Sequence, residues 1–488
     1  MKWLQKEGTS SKNVPMLLLL AVGVIEFLFI TLENQFSGIG YYLAETYVIV
    51  PCLLLLGYML REKLGSFARR RLLLAGAAVG WFVIVQCIHK LSGMENHPMA
   101  TVFFVYLMAF PFASLADDRK NAGLWCIGGM FIAAALVLVG YSAMLLLDLV
   151  PGGMKAYLYW DGARLHALWH PNVAAGYFMI GIGFSLAFCF LTRKKLVKVL
   201  LGGGIALQLM AMALTNCRTT LLLTGAMLGG TVFFLMCKGG GWKRMVLGLL
   251  AAAVILVGCF KLSGMLFQWN NDRLIADLTA VQAEPSSASA VPVPEAEPAQ
   301  QLPVETAEVI SEEQEGSTEE TAAKEVVLIE DTGILQGDNE QRSLSKDMRT
   351  LNGRTLIWKA ALKAIRNDKK LALWGTEYSG TYITVYSPIP VDHAHNSWME
   401  TLMRMGLPGL MMSLVFTALS VWSAAKLILS PETLIWKKII AMLAMCVMAS
   451  GFLEPYLFLT NVYYHVTDFI FFFLTGYLDF WSNRKEKL

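Results

Sequence analysis

Long apolar runs separated by short charged segments dominate the chain. An α-helix needs about 17–25 apolar residues to cross a bilayer. Twelve runs approach or reach that length, and the fourth and seventh are the shortest; they lie at about 15–32, 41–60, 72–90, 100–115, 122–147, 172–191, 199–214, 219–237, 245–263, 398–424, 438–459 and 462–481. The pattern predicts an all-α polytopic membrane protein with about 12 transmembrane helices.

Composition agrees with this class. Of the 488 residues, 56% are hydrophobic and 16% are charged, whereas a soluble domain carries about 25% charged residues. The net charge of +3 gives no indication of a nucleic-acid partner. The eight cysteines lie in or beside apolar runs, which favours neither a disulfide framework nor a thiolate metal site.

The basic residues predict the orientation. Alternate connections are rich in Lys and Arg, at 2–12, 61–71, 119–120, 193–198, 238–244, 437–438 and 484–487. By the positive-inside rule these connections and both termini are cytoplasmic. Three segments are then extracytoplasmic: 148–171, the turn 215–218 and the long segment 264–397.

The long segment separates a nine-span bundle at 1–263 from three spans at 398–488. Its Pro-, Ala- and Glu-rich part, 283–331, is predicted to be a disordered acidic insertion that acts as a solvated tether. An amphipathic helix follows at 352–366, with Asn352 as N-cap, and is expected to lie on the outer membrane surface. The Tyr-, Thr- and Gly-rich stretch 375–390 is expected to be irregular or a short β-hairpin.

Candidate chemistry begins where the polar segment re-enters an apolar run. Ser397 and Glu400 have the spacing of a capping box, which predicts a helix from about Trp398. His395 then stands just outside the first turn. The helix dipole disfavours a positive charge there, so the imidazole stays neutral and can accept a proton near pH 7.

Two outer-side arginines are unexpected. Arg218 occupies a short turn between apolar spans, where the positive-inside rule disfavours it. Arg354 falls on the apolar side of the amphipathic helix, in its first turn, and therefore needs an anionic partner. Two guanidinium groups can hold the oxygens of a diphosphate, and a nearby histidine can deprotonate an acceptor hydroxyl.

These residues resemble the motifs of the bacterial O-antigen ligase and polymerase superfamily. His395-Asn396, nine residues and Gly406-Leu407-Pro408-Gly409 match its His-Asn-x9-Gly-x-x-Gly signature. Arg354 in Gly-Arg-x-x-x-Trp resembles the arginine of the family's large external loop, with Trp358 where ligases often have leucine. The turn 215–219 resembles the family's Ser-Arg turn, with Cys217 in place of serine. The ordered set covers most of the chain except 283–331.

The resemblance implies a GT-C-like, metal-independent, inverting glycosyltransferase without a cofactor in the bacterial cytoplasmic membrane. Its donor would be a glycan on undecaprenyl diphosphate, and its acceptor a glycan or a lipid core at the outer face. Arg218 and Arg354 would bind the diphosphate, and His395 would be the catalytic base. The motifs do not separate polymerase from ligase.

Other residues near these motifs allow two interpretations. His393, Asp392 and His395 could hold zinc, but only three ligands stand close together and no metal is expected. Glu454 could pair with Arg218. His170 and Asn172 either line the acceptor entrance or only start a helix, and Asn396 is a possible supporting residue. Arg404 is expected to snorkel or to form an ion pair.

The main alternative function is a multipass transporter or a flippase of lipid-linked oligosaccharide. Transporters of twelve spans usually show two related halves, and no internal repeat is visible in this sequence. A flippase would handle the same donor but needs no proton acceptor at the outer surface.

Overall fold

The computed structural model describes 121–283 and 354–483, both with short gaps, and parts of 20–31 and 77–92. The gaps are 148, 150–158, 161–163, 166–169, 239, 377, 388–389, 455–456 and 458–464. The predicted spans at 41–60 and 100–115 and the insertion beyond Ala283 lie outside the described residues. Within 20–31 and 77–91 the described residues are helical.

The described part of the chain is almost entirely helical. Its helices are α1 Ala122–Leu146, α2 Pro171–Leu191, α3 Lys195–Leu214, α4 Arg218–Cys237, α5 Trp242–Ala283, α6 Arg354–Asn367, α7 Lys369–Trp374, α8 Ser379–Thr384, α9 Ser397–Leu429, α10 Ile435–Ser450 and α11 His465–Asn483. One antiparallel pair of two-residue strands, β1 (Tyr159–Trp160) and β2 (Arg164–Leu165), lies before α2.

Six of these helices are long and apolar enough to cross a membrane: α1, α2, α3, α4, α5 and α9. The prediction of an all-α polytopic membrane protein is therefore confirmed. The count of about 12 spans remains a prediction, because several of them lie outside the described residues.

Helix α2 forms the centre of the bundle, and α1, α3, α4 and α10 pack around it. Most of its side chains are buried, including Phe184 and Phe188. Gly128 of α1 makes room for both rings, because a Cβ there would lie 2.6 Å from Phe184. This packing holds α2 against α1, and His170 and Asn172 lie at the N-terminal end of α2.

Two helices end at residues that the hydropathy pattern did not predict. Helix α5 continues to Ala283, past the predicted end at 263. Helix α10 ends at Ser450, before the predicted end at 459. A helix seldom continues into the residue before a proline, and Pro455 follows closely. Glu454 therefore lies in the turn after α10 rather than inside a span.

The helices α6, α7 and α8 form a second small core with the start of α9. Its buried members include Ile357, Ala361, Leu371, Ile383 and Met403. The predicted amphipathic helix is present as α6, and its apolar face packs on these neighbours. That the helix lies on the outer membrane surface stays a prediction. Contact with the neighbouring helices removes the apolar side chains of α6 from water.

Of the two expectations for 375–390, the short β-hairpin is wrong, because Ser379–Thr384 forms helix α8. The other described residues of this stretch lie outside helices and strands, as the irregular alternative predicts. Ile383 and Ser379 are fully buried there. Gly380 permits the close approach of the following loop, since a Cβ would lie 2.4 Å from the carbonyl oxygen of Val391. Tertiary packing outweighs the strand preference of Tyr and Thr.

Candidate active site

Helix α9 begins one residue earlier than predicted, and Asn396 rather than Ser397 is its N-cap. The Asn396 side chain accepts a hydrogen bond from the Met399 N–H at 2.9 Å. The predicted capping box is therefore wrong. Ser397 Oγ instead donates to the carbonyl oxygen of Glu454 at 3.0 Å and accepts from the Leu457 N–H at 2.9 Å. Ser397 thus joins the start of α9 to the turn after α10.

His395 stands just before this cap, in a left-handed backbone conformation with φ 49°. Such a conformation is uncommon for a residue with a Cβ and persists where the surroundings impose it. The preceding residue is held on both sides: the Ala394 N–H donates to Glu400 Oε2 at 2.8 Å, and its carbonyl oxygen accepts from Trp358 Nε1 at 2.9 Å. These bonds fix the direction in which His395 leaves the loop.

Glu454 is the centre of the polar network around His395. Its Oε1 accepts hydrogen bonds from Asn172 Nδ2 at 2.7 Å and from Arg354 Nη2. Its Oε2 lies 3.5 Å from His395 Nδ1, an atom that is itself buried. The Glu454 carboxylate therefore contacts an asparagine, an arginine and a histidine from three separate parts of the chain.

The carboxyl of Glu454 is ionised at neutral pH. Burial alone would raise its pKa, but the contact with His395 and the positive charge of Arg354 oppose burial and hold the pKa below its usual range. An ionised carboxylate beside Nδ1 favours the tautomer with the proton on that atom. Nε2 of His395 is then the nitrogen that can accept a proton.

Arg354 is the first residue of α6, and its predicted anionic partner is Glu454. The ion pair is largely shielded from water, since the side chains are 14% and 8% exposed. It offsets the unfavourable position of a cation at a helix N-terminus. The role of Arg354 in binding diphosphate remains a prediction.

Arg218 is the first residue of α4 and is half-buried. The turn before it is tight: Asn216 has φ 50°, and the Cys217 N–H donates to Thr215 Oγ1 at 3.2 Å. Glu454, which could have paired with Arg218, forms its ion pair with Arg354. The diphosphate role of Arg218 also remains a prediction.

Arg164 is a site residue that the sequence reading missed. Lying in β2, it donates from Nη2 to Asn172 Oδ1 at 2.9 Å and from Nε to the carbonyl oxygen of Thr215 at 3.0 Å. It therefore links the turn before Arg218 to the Glu454 network. The sequence did contain an indication of Arg164. It lies in the predicted outer segment 148–171, where the positive-inside rule disfavours arginine as it does at Arg218.

His170 and Asn172 have different roles in the structure. His170 is exposed and caps α2, with its Nδ1 accepting from the Asn172 N–H at 3.3 Å. Pro171 occupies the first helical position, as is common. Asn172 instead turns its side-chain amide to Glu454, which places it in the polar network.

His393 lies beside His395, with ring centroids 4.1 Å apart. Burial, together with the charge of His395, lowers the pKa of His393 to about 4, so it is neutral at physiological pH. Its Nδ1 accepts from the His395 N–H at 3.2 Å. Within the described ranges, no three His, Cys, Asp or Glu side chains are grouped as metal ligands.

A comparison with known families bears on this arrangement. Residues 203–414 match the family model of O-antigen ligase. The resemblance to this family is confirmed over that part of the chain. No curated protein matches the chain.

The matched region 203–414 contains all the motifs that carried the resemblance, including Arg218, Arg354 and His395. Three members of the polar network lie outside it: Arg164, Asn172 and Glu454. The site thus combines motif residues of the matched region with flanking residues that only the folded structure brings to them.

Proposed function

We propose that this protein is a membrane glycosyltransferase of the O-antigen ligase and polymerase type. It transfers or polymerises a glycan from an undecaprenyl-diphosphate-linked donor onto an acceptor hydroxyl. The reaction takes place at the outer face of the bacterial cytoplasmic membrane, with both termini in the cytoplasm, and serves cell-surface polysaccharide synthesis.

The proposal rests mainly on one observation. His395 Nδ1 lies 3.5 Å from an ionised, buried carboxylate, which leaves Nε2 as the proton acceptor. A carboxylate that orients a histidine and stabilises its protonated form is a recurrent arrangement for general bases. The 3.5 Å contact is longer than a normal hydrogen bond, and contacts of this kind in catalytic sites commonly tighten when substrate binds.

The reaction can be written with these residues. The acceptor oxygen attacks the anomeric carbon of the donor sugar and gives its proton to His395 Nε2. The bond between that carbon and the phosphate oxygen breaks, and undecaprenyl diphosphate leaves with the electron pair. Attack from the face opposite the leaving group inverts the anomeric configuration. Arg218 and Arg354 stabilise the charge that develops on the diphosphate, and no metal ion is required.

The test is glycan transfer in proteoliposomes that carry an undecaprenyl-diphosphate oligosaccharide and an acceptor. His395→Ala is expected to lower turnover by about 10²–10⁴-fold, the contribution of a general base. His393→Ala, at the neighbouring neutral histidine, is expected to lower it by less than tenfold. EDTA is expected to leave the wild-type rate unchanged.

The products also separate the remaining alternatives. A ladder of lengthening glycan on the carrier would indicate a polymerase, and a single transfer to a lipid core would indicate a ligase. Unchanged turnover in His395→Ala would contradict the assignment of the base. A wild type that moves the lipid between leaflets without making product would be a flippase instead.

A further inference from the structure

Arg164 touches both the turn before Arg218 and the residues around Glu454. It leaves β2 on the face opposite Leu165, which is buried in the main core. Its hydrogen bonds to Thr215 and to Asn172 run in different directions from one planar guanidinium group. Such a rigid fork fixes the relative position of its two acceptors.

The bond to Asn172 also determines what Asn172 can do. A side-chain amide has one acceptor oxygen and one donor nitrogen. Because Arg164 donates to Oδ1, the Nδ2 group is directed at Glu454 Oε1, 2.7 Å away. The arginine thus acts on Glu454 through the amide of Asn172.

The turn that carries Arg218 adjoins the same network. Burial raises the pKa of the Cys217 thiol, and the charges of Arg164 and Glu454 act on that thiol in opposite senses. Cys217 therefore lies within electrostatic reach of both groups, one residue before Arg218.

We propose that Arg164 is a positioning residue that holds Glu454, and through it His395, in register with the turn before Arg218. This inference rests on the proposed function for its effect on transfer. The charged and titratable groups around the Glu454–His395 pair include Arg354, Asp392, His393, Glu400 and Arg404.

Two substitutions separate the geometric role from the electrostatic one. Arg164→Lys keeps the charge but loses the planar fork, so turnover should fall about 10- to 100-fold, the usual effect of removing a group that orients a functional residue. Arg164→Gln removes both the fork and the charge, so it should slow turnover at least as much as Arg164→Lys. Arg273→Gln is the matched control, since Arg273 donates to the carbonyl oxygen of Leu146 at the end of α1.

The experiment has two readouts. The first is turnover in proteoliposomes. The second is the rate at which diethyl pyrocarbonate modifies His395 at one fixed pH, followed by mass spectrometry, which reports the position and reactivity of the imidazole without turnover. The side chain of His395 is 33% exposed and accessible to the reagent.

Slow turnover in both Arg164 variants, with a changed rate of His395 modification in both and no change in Arg273→Gln, would support the proposal. Wild-type turnover in Arg164→Gln would overturn it. Slow turnover with an unchanged modification rate in both variants would also overturn it, because Arg164 would then act on transfer without positioning His395. If the wild type makes no product, the proposed function fails, and the modification rates still decide whether Arg164 acts on His395.

Discussion

Glu400 and Glu454 are two buried carboxylates of similar construction with different surroundings. In each, one oxygen accepts from an arginine and from one further side chain: Arg404 and Ser379 for Glu400, and Arg354 and Asn172 for Glu454. The second carboxylate oxygen has different partners in the two residues. In Glu400 it accepts from a backbone N–H at 2.8 Å, whereas in Glu454 it faces His395 at 3.5 Å.

The difference separates a structural carboxylate from a functional one. The partners of Glu400 all lie between 379 and 404, so it ties together one local region. The side-chain partners of Glu454 come from 172, 354 and 395, which are distant in sequence, and one of them is a partly exposed imidazole. A carboxylate saturated by donors stabilises the fold, whereas one that faces a titratable group can also serve chemistry.

The largest expected effect concerns Glu454. Glu454→Gln should lower turnover by about 10²–10⁴-fold, because an amide cannot stabilise the imidazolium that forms on His395. Glu400→Gln should lower the free energy of unfolding but leave the turnover of the folded protein within a fewfold of wild type. Turnover and thermal unfolding in detergent would be measured on both variants. Equal turnover losses would abolish the distinction between the two carboxylates.

The second-largest expected effect concerns Gly406, which lies in α9, the helix that carries Glu400. Gly406 has φ 67°, and a Cβ there would lie 2.1 Å from the carbonyl oxygen of Leu373. Gly406→Ala should therefore lower the free energy of unfolding by about 3 kcal/mol or more, from strain and from displacement of α7. Gly203→Ala is the matched control, since nothing lies within 4 Å of its added Cβ. Equal unfolding temperatures in the two variants would contradict this packing.

A smaller effect concerns His393, which lies within reach of both carboxylates. Its folded-state pKa of about 4 lies below the ordinary value of 6.5, so the unfolded chain binds more protons. The stability from this group is complete above about pH 6.5 and is lost as the pH falls towards 4. The lowered pKa of Glu454 also makes the stability fall as the pH falls, at pH values below the ordinary value of 4.5. In His393→Gln the unfolding temperature should fall less steeply between pH 6.5 and 4, and an unchanged slope would argue against a buried neutral histidine.

The smallest effect concerns Arg404. Its side chain is 27% exposed, and its pair with Glu400 spans one helical turn, so Arg404→Lys should cost less than about 1 kcal/mol of stability. Transfer should stay at the wild-type rate. Arg354→Lys, the corresponding change at Glu454, should lower transfer, because lysine lacks the planar fork that can contact a carboxylate and a phosphate together. Similar transfer rates in the two variants would remove this contrast.

The bundle could be predicted from the sequence because its signals are local. Apolar runs predicted α1, α2, α4 and α9 to within a few residues of their observed ends. Helix α6 and the need of Arg354 for an anionic partner followed from periodicity. The end of α10 was placed too late, since the hydropathy of the segment continues past the point where the backbone turns.

The polar network could be predicted only in part, because its geometry depends on contacts distant in sequence. Glu454 lies 100 residues from Arg354 and 282 from Asn172, and no sequence spacing indicates those bonds. The capping-box prediction failed for the same reason, because contacts distant in sequence decide the partners of both residues. Ser397 and Glu400 have the right spacing, but Ser397 is engaged by the turn after α10 and Glu400 by α8, so Asn396 caps the helix instead.

The central claim is that Glu454 and His395 act as one unit in proton transfer. The most direct test is a double-mutant cycle on turnover, with His395→Ala, Glu454→Gln and the variant that combines both. Residues that act as a unit have non-additive effects, so the combined variant should be no slower than His395→Ala alone. A combined loss equal to the product of the two single losses would mean that the residues act independently and would contradict the account.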